Sequence, residues 1–106
     1  MDNMFLQIKD RVTQWVYNIK KAHSQIATNI ILNSNEALRV FFENEKYIAE
    51  LVVERGEFAP YRYVKMEILS LDSKYPTPIY IWYDSQNDSI EKILINLQIG
   101  LELLNK

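Results

Sequence analysis

The chain contains no cysteine. Disulfides, thiolate metal sites and thiol nucleophiles are therefore excluded, and the absence leans toward a reducing compartment. There is a single histidine, His23, so one chain cannot build a two-histidine metal site. Only two glycines occur, Gly56 and Gly100. Neither a Walker loop nor a dinucleotide fingerprint can be assembled from them, and no Gly-x-Ser-x-Gly elbow is present. Basic residues do not outnumber acidic ones: 12 Lys and Arg stand against 14 Asp and Glu, a formal charge of −2. A nucleic-acid surface needs a basic excess for its phosphate contacts, so that class ranks last. No apolar run approaches the roughly 20 residues needed to span a bilayer. The opening MDNMFLQIKDRVTQW lacks the basic start, apolar centre and small-residue cleavage site of a signal peptide. The sequence reads as cytoplasmic, with no membrane segment.

What is present is an ordinary globular composition. Hydrophobic residues make up 48% of the 106-residue chain and charged residues 25%. These values suit one folded domain, residues 1–106, and argue against disorder. A chain of this length buries roughly 60–70% of its extended surface, enough for one core.

Periodicity divides the chain. Phe5, Ile8, Val12, Trp15, Val16, Ile19 and Ile26 recur every three or four residues and predict an amphipathic helix over about 3–25, with Asp2 or Asn3 as its cap. Residues 26–32 fit either a last helical stretch or a short strand. Ile30 continues the helical stripe, and helix toward residue 31 is the preferred reading. Asn33-Ser34-Asn35 is a stop signal. Strand-like runs follow at 38–43, 46–54, 61–71 and 77–84. Asn44-Glu45 suggests a tight hairpin between the first two. Turns are expected around Arg55–Pro60 and Asp72–Pro76, and Pro76 and Pro78 point to a sheet edge at the fourth strand. Ile90, Ile93, Leu94, Leu97, Leu101 and Leu104 form a closing helix. Asp88 and Glu91 are its expected capping pair, and Gly100 inside it favours close packing on a neighbour. The expectation is an α+β domain: an N-terminal helix, a four-stranded, mainly antiparallel meander, and a C-terminal helix, both helices on one face of the sheet.

Strand alternation assigns Leu38, Val40, Phe42, Tyr47, Ala49, Leu51, Val53, Val64, Met66 and Ile68 to the covered face, together with Ile79, Ile81 and Tyr83. The other face then carries Arg39, Glu43, Glu50, Glu54, Lys65 and Glu67, and also seven large apolar or aromatic residues: Phe41, Ile48, Val52, Tyr63, Leu69, Tyr80 and Trp82. So many on one open face suggest a partner-binding surface, although strand packing preferences enrich the same residue types. On the last helix, Ile95, Ile99 and Leu103 lie opposite the main stripe. That pattern fits a sandwiched helix or a secondary interface.

Reactive constellations are sparse. His23 on the apolar stripe reads as structural. The loop Asp84-Ser85-Gln86-Asn87-Asp88 offers oxygen ligands but not the calcium-loop spacing, and the same residues are ordinary turn formers. No catalytic residue, metal site or cofactor is assigned. The leading expectation is a non-enzymatic protein-interaction domain that binds itself or a protein partner through the open sheet face or the last helix. Small bacterial domains of this size and layout include toxin-immunity proteins and secretion chaperones. The likeness is one of layout alone, since no motif of either occurs here. The alternative is a small-ligand binder or small enzyme with a pocket between sheet and helices, lined by some of the seven tyrosines.

Overall fold

In the computed structural model, residues 3–56, 60–72 and 74–105 are described. The first helix, α1, runs Asn3–Ala22 and buries Phe5, Ile8, Val12, Val16 and Ile19. Each such side chain contributes about 1.5–3 kcal/mol by leaving water. The exposed side is mostly polar but also carries Met4, Leu6 and Tyr17, and Lys20 and Lys21 in the last turn suit the negative end of the helix dipole. The helix begins at Asn3; Asp2 lies outside the described residues.

Five strands follow, not four: β1 (Ala27–Asn33), β2 (Ala37–Glu43), β3 (Tyr47–Glu54), β4 (Val64–Ser70) and β5 (Thr77–Tyr83). They form one antiparallel sheet in the order β1-β2-β3-β4-β5. The extra strand is β1, where helix was expected. The chain leaves α1 through a turn in which His23 N–H donates to the Ile19 carbonyl and Ile26 N–H to the His23 carbonyl. Beyond it, Thr28 and Ile30 alternate with Ala27 and Asn29 and pair with β2. Pairing along a whole neighbouring strand outweighs a helical stripe extended by one isoleucine.

The hairpin turns rest on side-chain oxygens. Ser34 Oγ accepts from the amides of Glu36 and Ala37 between β1 and β2. Asn44 Oδ1 accepts from Lys46 and Tyr47 between β2 and β3. Both are the local bonds by which Ser and Asn stabilise turns. Of the turn expected at Arg55–Pro60, residues 57–59 lie outside the described set.

The closing helix α2 spans Ile90–Leu104 and buries Ile93, Leu97, Gly100, Leu101 and Leu104. Its cap is Ser89, whose side chain accepts from Lys92 N–H. The expected cap, Asp88, instead accepts from Ser85 N–H at 2.7 Å and pairs with Lys92 Nζ at 3.0 Å.

Both helices cover one face of the sheet. Leu38, Val40 and Phe42 of β2, Ala49, Leu51 and Val53 of β3, and Val64, Met66 and Ile68 of β4 are fully buried in one cluster with the helix stripes. Trp15 of α1 sets its ring edge-on to Phe42, centroids 5.9 Å apart, and donates its indole N–H to Gln98 of α2. That side chain therefore joins sheet, α1 and α2.

The last strand is turned over relative to expectation. Tyr80 and Trp82 pack against the core, while Ile79, Ile81 and Tyr83 are exposed. Apolar residues fill both faces from Ile79 to Tyr83, so alternation alone does not select a side, and a one-residue shift exchanges every side chain. Space and polar satisfaction select it. The Tyr80 hydroxyl donates to the Asn96 carbonyl of α2 at 2.8 Å. Gly100 of α2 leaves the room: a Cβ there would stand 2.9 Å from the Tyr80 ring and 2.7 Å from Met66 Sδ.

Candidate interaction surface on the open sheet face

Hydrogen-bonded pairing lays the uncovered face out in cross-strand rows. One row reads Leu32, Arg39, Val52, Lys65, Tyr83; the next reads Asn29, Phe41, Glu50, Glu67, Ile81. A third pairs Glu43 with Ile48 and Ile48 with Leu69, and Leu69 meets Pro78 across a register shift that leaves Ile79 as the extra residue.

At the centre Glu50 is held on two sides, by Lys65 Nζ at 3.2 Å and by Arg39 Nε at 3.8 Å. Directly across from it on β4 stands Glu67. Like charges placed opposite one another destabilise a sheet, and the two cations on Glu50 offset that repulsion. Around this centre Phe41, Ile48 and Leu69 are half-buried, and Ile81 is 47% exposed. Val52 is only 2% exposed although it lies on this face; its row neighbours Arg39 and Lys65 flank it, and long basic side chains cover apolar surface with their stems.

Two depressions mark the relief. A shallow one of about 140 Å³ lies between Phe41, Ile48, Glu50, Glu67 and Leu69. A wider one of about 540 Å³ wraps the β1 edge, lined by Asn29 and Ile31 and also by Lys20 of α1 and by Thr28 and Ile30 of the covered side. Phe41 and Ile48 line both, so these two side chains form the ridge between them.

Four of the seven residues expected on this face lie there: Phe41, Ile48, Val52 and Leu69. Three do not. Tyr80 and Trp82 belong to the turned strand. Tyr63 precedes β4 and is buried, with its ring 5.2 Å from Phe5 of α1 in an edge-to-face contact. Ile79, Ile81 and Tyr83 take their places. The signal that would have found them is the pair of prolines at the entry of β5, which marks an irregular edge where alternation loses its phase.

On α2, Ile95 and Ile99 are 60% and 47% exposed, while Leu103 is half-buried against the core. The sandwiched arrangement therefore accounts for Leu103 and not for the two isoleucines.

Just past the end of β5 lies a buried carboxylate. Asp84 follows β5, and its Oδ1 accepts from three successive amides, Arg62 at 2.9 Å, Tyr63 at 2.8 Å and Val64 at 2.8 Å. Three adjacent N–H groups aimed at one oxygen make an anion nest, and here the chain supplies its own anion. Burial pushes the Asp84 carboxyl up from its ordinary value; the three backbone bonds act against that, and nearby Asp88 adds to it. Its Oδ2 is buried with no hydrogen-bond partner. The sequence reading treats this acid as an ordinary turn residue. Its partners are twenty residues away, and no spacing rule reaches that far.

Beside the nest, Tyr61 donates to Glu54 Oε1 at 2.5 Å and sets its ring 6.0 Å from that of Tyr83. Burial and then the neighbouring Glu54 push its phenol up to about 12. The hydroxyls of Tyr61 and Tyr80 thus turn to separate partners, Glu54 and Asn96. No tyrosine lines the depressions of about 540 and 860 Å³, which are the larger ones described. His23 lies half-buried just past α1. Among the described residues no group of three or more His, Asp or Glu is placed to hold a metal ion. Nor, among the described residues, is any helix long and apolar enough to cross a membrane.

Comparison of the chain with protein-family models, with curated proteins and with solved structures finds no match.

Proposed function

We propose that the chain is a non-enzymatic protein-interaction domain that presents the open face of its sheet to a protein partner. The observation that carries this reading is the composition of a face no helix covers: Phe41, Ile48, Leu69, Ile79, Ile81 and Tyr83 surround a fixed ionic centre of Arg39, Glu50 and Lys65. Protein interfaces combine an apolar patch with a few oriented polar groups, and contiguous exposed apolar surface on a small domain marks such sites. The ridge of Phe41 and Ile48 between two depressions adds relief that a partner can interlock with. Ile95 and Ile99 of α2 form a second, smaller apolar surface on the opposite side of the domain and support the same class of function.

A photo-activated cross-linker at position 81 tests this in the native cell. Expected is a discrete protein adduct from position 81 and none from position 18 on the outer side of α1. A cross-linker at position 95 reads the smaller surface separately. Adducts from 18 as readily as from 81, or none from 81, would refute the reading.

A further inference from the structure

We infer that the open face is built to take a second copy of this chain, stacked face to face about a two-fold axis that runs across the strands. This inference rests on the interaction reading above and names its partner. In a symmetric dimer the same patch is used twice and must be complementary to itself.

Two sheets packed in alignment with their faces in full overlap leave two placements of the axis, along the strands or across them. With the axis along β3, Glu50 meets Glu50, β2 lies over β4, Arg39 meets Lys65 and Phe41 meets Glu67. Each of these stacks like charge on like or an apolar ring on a carboxylate. With the axis across the strands, between the row of Val52 and the row of Glu50, each strand lies over its own copy and the two rows exchange. Glu67 then faces Lys65 of the second copy, Ile81 faces Tyr83, Phe41 faces Arg39, and Glu50 faces Val52.

None of these four pairs sets like charge on like, and the one carboxylate set against an apolar side chain, Glu50 on Val52, keeps Lys65 and Arg39 of its own sheet as partners. Glu67 opposes Glu50 within its own sheet, and a Lys65 arriving from above gives it a cation. The Arg39 side chain is 48% exposed and only loosely held, 3.8 Å from Glu50, so its guanidinium is available to the facing Phe41 ring, a favourable cation–π arrangement. Ile81 and Tyr83, two exposed apolar residues on one strand, cover each other. All three pairs are made twice, once on each side of the axis.

The test uses the whole chain. Size-exclusion chromatography with light scattering should give about twice the 12.6 kDa chain mass. Glu67→Lys and Lys65→Glu should each weaken self-association at least about tenfold, the cost of one like-charge contact made twice. Mixed together, the two variants should restore a dimer, since each then offers the charge the other lacks. Because Lys65→Glu adds a carboxylate beside Glu50 and can unfold the domain, a second experiment uses the absence of any native thiol. Ile81→Cys and Tyr83→Cys chains, oxidised as a mixture, should cross-link to each other at least fivefold more than either does alone. A native chain that stays monomeric up to about 1 mM, the limit of weak specific contacts, would overturn the inference. So would equal yields of like and mixed disulfides. A photo-adduct at position 81 heavier than two chains would leave the interaction reading standing and remove self-pairing, whereas no adduct at all would remove both.

Discussion

Asp84 Oδ1 lies 2.8 Å from the amide nitrogen of Val64, and the Val64 carbonyl in turn accepts from Asp84 N–H at 3.1 Å. The end of β5 is thereby tied to the start of β4 by side chain and backbone together. Asp84→Ala removes the Oδ1 acceptor of the Tyr63 and Val64 amides, both in buried bonds, while Arg62 N–H keeps the Asp84 backbone carbonyl at 3.2 Å. Bonds to charged groups contribute about 1.5–3 kcal/mol each, so a loss of at least about 3 kcal/mol is expected in urea unfolding.

The same residue gives a pH test. Its folded value is raised, so the folded chain holds this proton more tightly than the unfolded chain. The resulting stability is complete below the ordinary carboxylate range and is lost as pH rises through the raised value. Asp88 has the opposite sign. Burial opposes its charge, but Lys92 and the Ser85 amide outweigh this and hold its carboxyl low. Its contribution is present above the ordinary range and lost as pH falls through the lowered value. Asp84→Asn should therefore gain on the native chain as pH rises from the ordinary carboxylate value toward neutrality. Asp88→Asn should be penalised most near neutrality and least in acid. Parallel profiles for the two variants would show that neither carboxylate titrates as described.

Gly100 makes the third case. Alanine in mid-helix is ordinarily better than glycine by about 1 kcal/mol. Here its methyl would meet the Tyr80 ring and Met66 Sδ inside 3.0 Å, and overpacking costs about 1–3 kcal/mol. Gly100→Ala is expected to be neutral to about 2 kcal/mol destabilising, and Gly100→Val clearly worse, as read from midpoints of thermal unfolding. A gain in the alanine variant would mean that α2 stands further from β5.

Asn44 joins the β2–β3 turn to the end of α2. Its Oδ1 takes two turn amides, and its Nδ2 donates to the Leu104 carbonyl. Asn44→Ala should cost about 1–2 kcal/mol, in the manner of a lost helix cap. Amide exchange should quicken both in the turn and in the last turn of α2, which a purely local role would leave unchanged.

Much of the layout was legible in the residues. The stripes of α1 and α2 are long and strongly periodic, and β2, β3 and β4 alternate cleanly because polar residues mark one side of each. The errors fall where that contrast fades. Ile26, Ile30 and Ile31 satisfy two periods at once, and pairing with β2 decided between them. From Ile79 to Tyr83 no polar residue marks a side, and the room beside Gly100 decided. Tyr63 was placed by strand phase, yet the chain becomes a strand only at Val64. On the candidate surface the charged centre could be anticipated, since Arg39, Glu50 and Lys65 share one phase. The apolar rim near β5 was signalled only indirectly, by Pro76 and Pro78 marking an irregular edge, because the side each residue takes depends on that unmarked strand.

Both outermost strands are irregular: β1 shifts register between Ile30 and Leu32, and β5 at the partner of Ile68 and Leu69, next to Pro78. Such kinks spoil the template that a bare strand offers to its neighbours. Side-by-side addition of further molecules is thus interrupted at either margin. The association proposed through the broad face would therefore end at a fixed number of subunits instead of growing into a ribbon, and the exposed apolar surface is kept apart from any margin that could seed fibrils.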